Sequence, residues 1–279
     1  MKVTVIGAGG QLGRALIDSF QDSAEVHGFA HEDLDVTCRR DVLGALETAG
    51  PDVVVNAAAM TDVDGCELKT AAAFAVNTLA VRWFAEACLI SGARLVQIST
   101  DYVFSGDQEV PYQEWDPPGP LQVYGRSKLA GECEAISGCP GSLIVRTSWL
   151  YGGSERGFVQ AVLRKLHAAS TLRVVTDQRG SPSYTRDVAQ AIAQMVQIGV
   201  TGVTHVTNGG SCSRYELAQE IAHCAGTGAV VEPVRTVDLQ PSAARRPPNT
   251  ALESLVCPAV GVVLRPWQEA IDEFVRAQD

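Results

Sequence analysis

Along the first half of the chain, short runs of apolar residues alternate with stretches in which apolar positions recur every three or four residues. A short continuous apolar run reads as a strand buried on both faces, and the longer periodicity reads as a helix packed against it. The strands predicted this way are Lys2 to Ile6, Glu25 to Ala30, Pro51 to Asn56, Arg94 to Ser99 and Leu143 to Val145. The helices between them are Leu12 to Phe20, a segment near Val42 to Ala49, Cys66 to Phe74, Asn77 to Ile90 and Val123 to Ser137. Such alternation predicts an α/β fold of the Rossmann type, a doubly wound parallel sheet. Farther on, helices are predicted at Gly157 to Ala169, Thr185 to Ile198, Arg214 to Ala225 with Ser213 as its cap, and Leu264 to Phe274. Strands are predicted at Leu172 to Val175, Gly202 to Thr207 and Val230 to Val234.

The turn after the first strand carries glycines at Gly7, Gly10 and Gly13 and opens directly into the first helix. Glycines there let the backbone turn tightly and approach a pyrophosphate, while helix-terminal N–H groups face the negative charge. That placement favours dinucleotide binding over a structural turn. A site for NAD usually sets an acid at the tip of the second strand. Here the tip reads Gly28-Phe29-Ala30-His31-Glu32-Asp33. Glu32 or Asp33 would suit NAD, His31 or Arg14 would suit NADP, and the choice stays open. Asp35 and Val36 are expected to border the adenine, a role compatible with capping the next helix. The third strand runs into small residues, and Ala59 and Thr61 are the cofactor contacts expected at that carboxyl end. Asp62 and Asp64 are read as helix caps.

Tyr124 and Lys128 lie four apart in a helical register, so they share a helix face. A cation beside a phenol favours the phenolate and brings proton exchange closer to neutral pH from an ordinary value of about 10. Reduction of a ketone needs such a donor. Thr100, at the tip of the fourth strand, offers a hydroxyl to the developing negative charge on the substrate oxygen, with Ser99 as its competitor.

A formal net charge of −10 argues against nonspecific binding to nucleic acid or an anionic membrane. The eight cysteines show no Cys-x-x-Cys pair and the five histidines no metal-ligand rhythm, so a reduced, cytoplasmic protein without a metal site is expected. The adjacent pair Arg245 and Arg246, and Arg179, are candidate donors to a diphosphate; a solvated loop explains them equally well. Trp149, taken alone, reads as a core indole.

The chain resembles the dTDP-4-dehydrorhamnose reductase family, within the extended short-chain dehydrogenase/reductases. The likeness is carried by GAGGQLG at 7–13, VNAAAMTDVDGCE at 55–67, ISTDYVFSG at 98–106, VYGRSKLAGE at 123–132, RTSWLYG at 146–152 and DQRGSPSYTRDVA at 177–189. The resemblance implies a dinucleotide-binding domain over 1–150 and a smaller, mainly substrate-binding domain over 151–279, with parts of 172–207 returning to the main sheet. It implies that Gly10, Gln11 and Leu12 hold the pyrophosphate, that Asp35 and Val36 lie near adenosine, and that Ala59, Met60 and Thr61 line the cofactor's path. Tyr124 is then the proton donor, Lys128 binds the nicotinamide ribose and tunes the phenol, and Thr100 steadies the alkoxide. Asp101 and Trp149 touch the sugar. Met60 stands where an aromatic or histidine is expected, and Gln122 stands in place of asparagine. Some relatives dimerise through magnesium held by glutamates, one in the first helix; Arg14-Ala15 at that turn implies no such metal.

The expected function is reduction, by NADPH or NADH, of the C4 ketone of a dTDP-4-keto-6-deoxyhexose, with dTDP-L-rhamnose as product, in a monomer or homodimer. A reductase for a sibling dTDP-keto-sugar and a noncatalytic regulatory subunit of the same fold are the alternatives. Intact Thr100, Tyr124 and Lys128 argue against the second. A dehydratase usually has acids directly after the hydroxyl residue, whereas here Tyr102 follows Asp101.

Overall fold

The first half of the chain runs β1 (Lys2–Ile6), α1 (Gln11–Phe20), β2 (Glu25–Phe29), α2 (Arg39–Ala49) and β3 (Val53–Asn56). Next come α3 (Val63–Leu68), α4 (Thr70–Phe74), a π-turn at Ala75–Leu79, α5 (Ala80–Ser91), β4 (Arg94–Thr100), α6 (Val123–Gly138) and β5 (Leu143–Thr147). The second half adds β6 (Leu150–Tyr151), α7 (Phe158–Ala168), β7 (Thr171–Val175), β8 (Arg179–Gly180), β9 (Ser183–Tyr184), α8 (Thr185–Ile198) and β10 (Gly202–His205). It closes with β11 (Cys212–Ser213), α9 (Arg214–Cys224), β12 (Val230–Val234), α10 (Val256–Ala259) and α11 (Trp267–Arg276). This computed structural model describes residues 1–153, 157–168, 171–239 and 242–278.

Six strands form one parallel sheet in the order β2-β1-β3-β4-β5-β10. Alternate residues of the apolar strands face opposite layers, which is why the runs are continuous. Val5, Val55, Val96 and Val145 join the core beneath α1 and α8, while Val54, Leu95 and Ile144 join the core beneath α2 and α5. A third core gathers α7, α9 and α11 around Leu217, Ile271 and Phe274. Within the stretch 172–207, α8 and β10 join the main sheet and its cover, whereas β7 pairs with β12 in a separate ribbon.

Some elements differ from the sequence expectation. The helix predicted over Cys66 to Phe74 is two helices, because the chain breaks at Lys69. Asn77, the expected start of the next helix, sits inside the π-turn. The strand predicted to Thr207 ends at His205, and the last helix starts at Trp267, after Pro266. Ala169, predicted to end α7, lies outside the described residues. The helical run Thr70–Ser91 is long and apolar enough to cross a membrane by length and composition, yet Val81, Phe84 and Ala85 are fully buried in the second core.

Candidate active site

β2 and β3 flank β1, so the chain leaves β1 at the point where the sheet reverses direction, and a crevice opens there beyond the strand ends. The cleft has a volume of about 1050 Å³ and is bordered by the glycine turn, by Ala57 to Met60 and by Asp35 to Thr37. Gly7 has φ +79°, and a Cβ there would meet the Ala58 nitrogen at 2.8 Å. A Cβ on Gly13 would meet the Gly7 carbonyl oxygen at 2.1 Å, so this glycine lets α1 lie flush on the turn. α1 has no side-chain cap at Gly10 and no acid in its first turn, leaving its N–H groups for an anion. The Gln11 amide nitrogen is buried and unpartnered beside them. These features fit a dinucleotide pyrophosphate.

Of the predicted cofactor residues, Gly7, Gly10, Asp35, Val36, Ala59 and Met60 line this cleft; Gln11, Leu12, Gly13, Thr61, Tyr124 and Lys128 do not. Leu12 is packed into the core below the turn. Asp35 accepts from the Thr37 N–H at 2.9 Å and hydroxyl at 2.7 Å, and that hydroxyl holds its carboxyl below the usual range. It braces a turn instead of capping α2, whose cap is Cys38. Arg14, His31 and Glu32 all line the adenine end, while Asp33 accepts from the Ala30 N–H at 2.8 Å.

β4 and α6 bring three predicted groups together. A Cβ on Gly125 would lie 2.0 Å from the Tyr102 carbonyl oxygen, so only glycine lets the first turn of α6 close on the tip of β4. Glu67 fixes that turn by accepting from the Val123 N–H at 2.8 Å. The Tyr124 ring thereby packs edge-on against the Tyr102 ring, with centroids 6.0 Å apart, just beyond Thr100. One turn on, the buried Lys128 Nζ donates to the Ile98 carbonyl at 2.6 Å. Burial lowers its pKa to about 8, and Glu132 partly opposes the shift.

The expected tuning of the phenol is corrected by this geometry. Burial pushes the Tyr124 pKa up, with Thr100 opposing and the charge on Asp101 adding to the rise. The lysine's ammonium is held on the Ile98 carbonyl and not on the phenol. Ser99, the rival hydroxyl, donates to Glu132, which Arg146 grips with three bonds, including one of 2.7 Å. That ion pair is buried and Ser99 is spent on it.

Asp101 is only 3% exposed. Its oxygens accept from Thr100 at 2.9 Å, Ser148 at 3.0 Å and Thr250 at 2.5 Å. The residue expected to touch the sugar instead holds the Thr100 hydroxyl in place. Trp149 is half-buried, with φ +44°, a left-handed backbone uncommon for a bulky residue and concentrated at functional sites. Asp64, expected as a cap, pairs with Arg246 at 2.7 Å, which holds its carboxyl below the ordinary range; Asp62 does cap α3, through the Gly65 N–H. Arg179 pairs with Glu216 at 3.2 Å, and Arg245 is exposed.

The sequence reading passed over Asn77, whose amide brackets Met60 by accepting from its N–H at 2.9 Å and donating to its carbonyl at 3.1 Å. The same amide donates to Ser127 on α6 at 3.0 Å, tying the cofactor cleft to the Tyr124 helix. Its π-turn is a feature frequent at functional sites, and no local periodicity announces it. The Gln122 amide, at the asparagine position, is buried with neither atom partnered.

A family model described as the RmlD substrate binding domain matches residues 1–279. A dTDP-4-dehydrorhamnose reductase of Mycolicibacterium smegmatis is 39% identical over 99% of this chain and 85% of its own length. A probable dTDP-4,6-dihydroxy-2-methyloxan-3-one 4-ketoreductase of Streptomyces antibioticus is 41% identical over 79% of this chain and 76% of its own. The crystal structure of dTDP-4-dehydrorhamnose reductase from Bacillus anthracis in complex with NADP superposes with a TM-score of 0.95 at 34% identity, covering 99% of both chains. The parallel sheet, its glycine turn and the hydroxyl and phenol beyond β4 thus sit in a chain that belongs to the dTDP-4-dehydrorhamnose reductase family of oxidoreductases.

Proposed function

We propose that this protein reduces the C4 ketone of dTDP-4-dehydro-L-rhamnose to give dTDP-L-rhamnose, using NADPH or NADH. The observation that carries the reading is the convergence of Tyr124 and the buried Lys128, one turn apart on α6, with Thr100 at the carboxyl end of β4, to which Lys128 is bonded through the Ile98 carbonyl. A reduction must deliver a proton to the new alkoxide, so the protonated phenol is the form the reaction consumes. The one O–H of Thr100 is donated to Asp101, and it steadies the alkoxide by swinging from that carboxylate to the ketone oxygen as charge develops. Lys128, charged below about pH 8, adds a cation behind them and is placed to hold a ribose hydroxyl.

The glycine turn, Gln11 and the backbone from Ala59 to Thr61 would hold the dinucleotide, with Asp35 and Val36 at its adenosine. When bound, the reduced nicotinamide supplies the hydride. Residues 1–150 serve the dinucleotide and 151–279 mainly the sugar nucleotide, Trp149 at their junction. The protein works in the cytoplasm, as monomer or homodimer, without membrane or nucleic acid.

The test is NADPH oxidation with the keto-sugar and NMR of the product. A rate at the no-enzyme background would sink the proposal and favour a regulatory subunit. The Streptomyces antibioticus relative, together with Met60 and Gln122 at the pocket, favours a second reading: a 4-ketoreductase for another dTDP-keto-sugar. A substrate panel separates the two by kcat/KM.

A further inference from the structure

Arg214 opens α9 directly behind its Ser213 cap. Its guanidinium carbon lies 3.6 Å from the centre of the Trp149 ring and 4.6 Å from that of Phe158. Three other guanidinium groups of this region have carboxylates: Arg146 has Glu132, Arg246 has Asp64 and Arg179 has Glu216. Among the described residues no carboxylate pairs with Arg214. The charge of Asp101 acts on it, but both oxygens of that carboxylate are taken by three protein hydroxyls. Arg246 adds a like charge, and burial lowers the Arg214 pKa. A desolvated cation without a counter-charge is costly.

The surroundings hold this cation in a fixed attitude. A Cβ on Gly180 would meet the Trp149 ring at 2.3 Å, so glycine lets the indole lie flush against the β8 backbone. The strained φ of Trp149 turns its ring to that wall. With its faces over two rings, the guanidinium keeps an edge of N–H donors for a bidentate anion such as phosphate. Its position suits one phosphate in particular. Trp149, on which the cation lies, directly follows Ser148, whose hydroxyl donates to Asp101 beside Thr100 at 3.0 Å. The cation is thus linked to the Thr100 side of the site through the second half of the chain, the half read as binding the sugar nucleotide.

We infer that Arg214, stacked on Trp149 and Phe158, binds the phosphate adjacent to the sugar of a nucleoside-diphosphate hexose. The inference rests on the sugar-nucleotide reading above. It transfers the diphosphate contact from the Arg245-Arg246 pair, one of which is exposed and the other tied to Asp64, to a residue that no sequence motif marked.

Calorimetric titration of the full-length protein with dTDP and with dTMP tests it, with NADPH affinity as the control for folding. Arg214→Met keeps an unbranched stem on the two rings and removes the charge. It should weaken dTDP about 100-fold while changing dTMP and NADPH less than about threefold. Arg214→Lys restores charge without the fork and should weaken dTDP about tenfold. Wild-type affinity for dTDP in either variant overturns the inference, as does an equal loss for dTMP and dTDP. Wild-type protein that binds neither nucleotide would instead sink the sugar-nucleotide reading, and this inference with it. If the methionine variant does not fold, the lysine variant decides alone.

Discussion

Ser99 and Thr100 are consecutive hydroxyl residues at the end of one strand, both mostly buried, and they do opposite work. Ser99 is sealed into the Glu132–Arg146 ion pair, where every donor has an acceptor inside the protein. Thr100 donates to Asp101 and receives the Tyr102 N–H at 3.2 Å. Both hydroxyls donate to a buried carboxylate, but Glu132 is locked by the Arg146 ion pair whereas Asp101, among the described residues, is held by hydroxyls alone and has no cation bound to it. The difference lies in the partners, since side-chain type and burial are nearly the same. A closed polar network rigidifies the strand tip, and an incompletely closed one next to it leaves capacity for a ligand.

Perturbing the two sides should give separable results. Tyr124→Phe should lower kcat about 1000-fold and leave NADPH affinity and Tm unchanged, because a phenol oxygen is lost from the reactive side only; stopped-flow reduction and a thermal melt read both. A variant with normal turnover would disprove the proton donor. Glu132→Ala strands the Arg146 charge, and the cost should be about 3–5 kcal/mol of stability by urea denaturation. A stable Glu132→Ala protein would show that the ion pair is not what holds the strand tip.

Smaller effects sharpen the contrast within β4 itself. Thr100→Val should lower kcat about 100-fold with little change in stability, whereas Ser99→Ala should cost about 1 kcal/mol and leave kcat near wild type. Reversed outcomes would exchange the assignments of the two hydroxyls. The smallest effect is a pH limb. Folding depresses the Lys128 pKa from 10.5 to about 8, so its ammonium is present below about pH 8 and is lost as pH rises through that value. Between those two values the unfolded chain binds the extra proton, so this group favours folding increasingly as pH rises. kcat/KM should therefore fall above about pH 8, and the limb should be missing from the pH dependence of NADPH affinity in Lys128→Met. Tyr124, shifted upward, should contribute no limb in that range.

The apolar pattern was enough for β1 to β5 and for most of the helices covering them, because a strand buried on both faces and a helix buried on one leave different periods in the sequence. The glycine turn was legible for a related reason: Gly7 needs a left-handed backbone and Gly13 a flush contact, and no other residue supplies either. Tyr124 and Lys128 were legible because four residues on a helix fix a shared face.

Asn77, Glu67 and Arg214 were not legible. Each acts through a partner far away in the chain: Asn77 through Ser127, Glu67 through the first turn of α6, Arg214 through Trp149. The hydroxyls of Ser148 and Thr250 that close over Asp101 were likewise not legible, because they come from distant parts of the chain. The direction of the Tyr124 shift was misread for the same reason.

By itself the sequence determined the parallel sheet, the order of its elements, the glycine turn that opens α1 and the helix face shared by Tyr124 and Lys128, since these depend on local periods and on residues without substitutes. Only the tertiary structure decided which carboxylate each hydroxyl serves, which arginine lies over Trp149 and which way each ionisable group shifts. Those properties are set by desolvation and by neighbours brought from distant parts of the chain, and both exist only once the chain has folded.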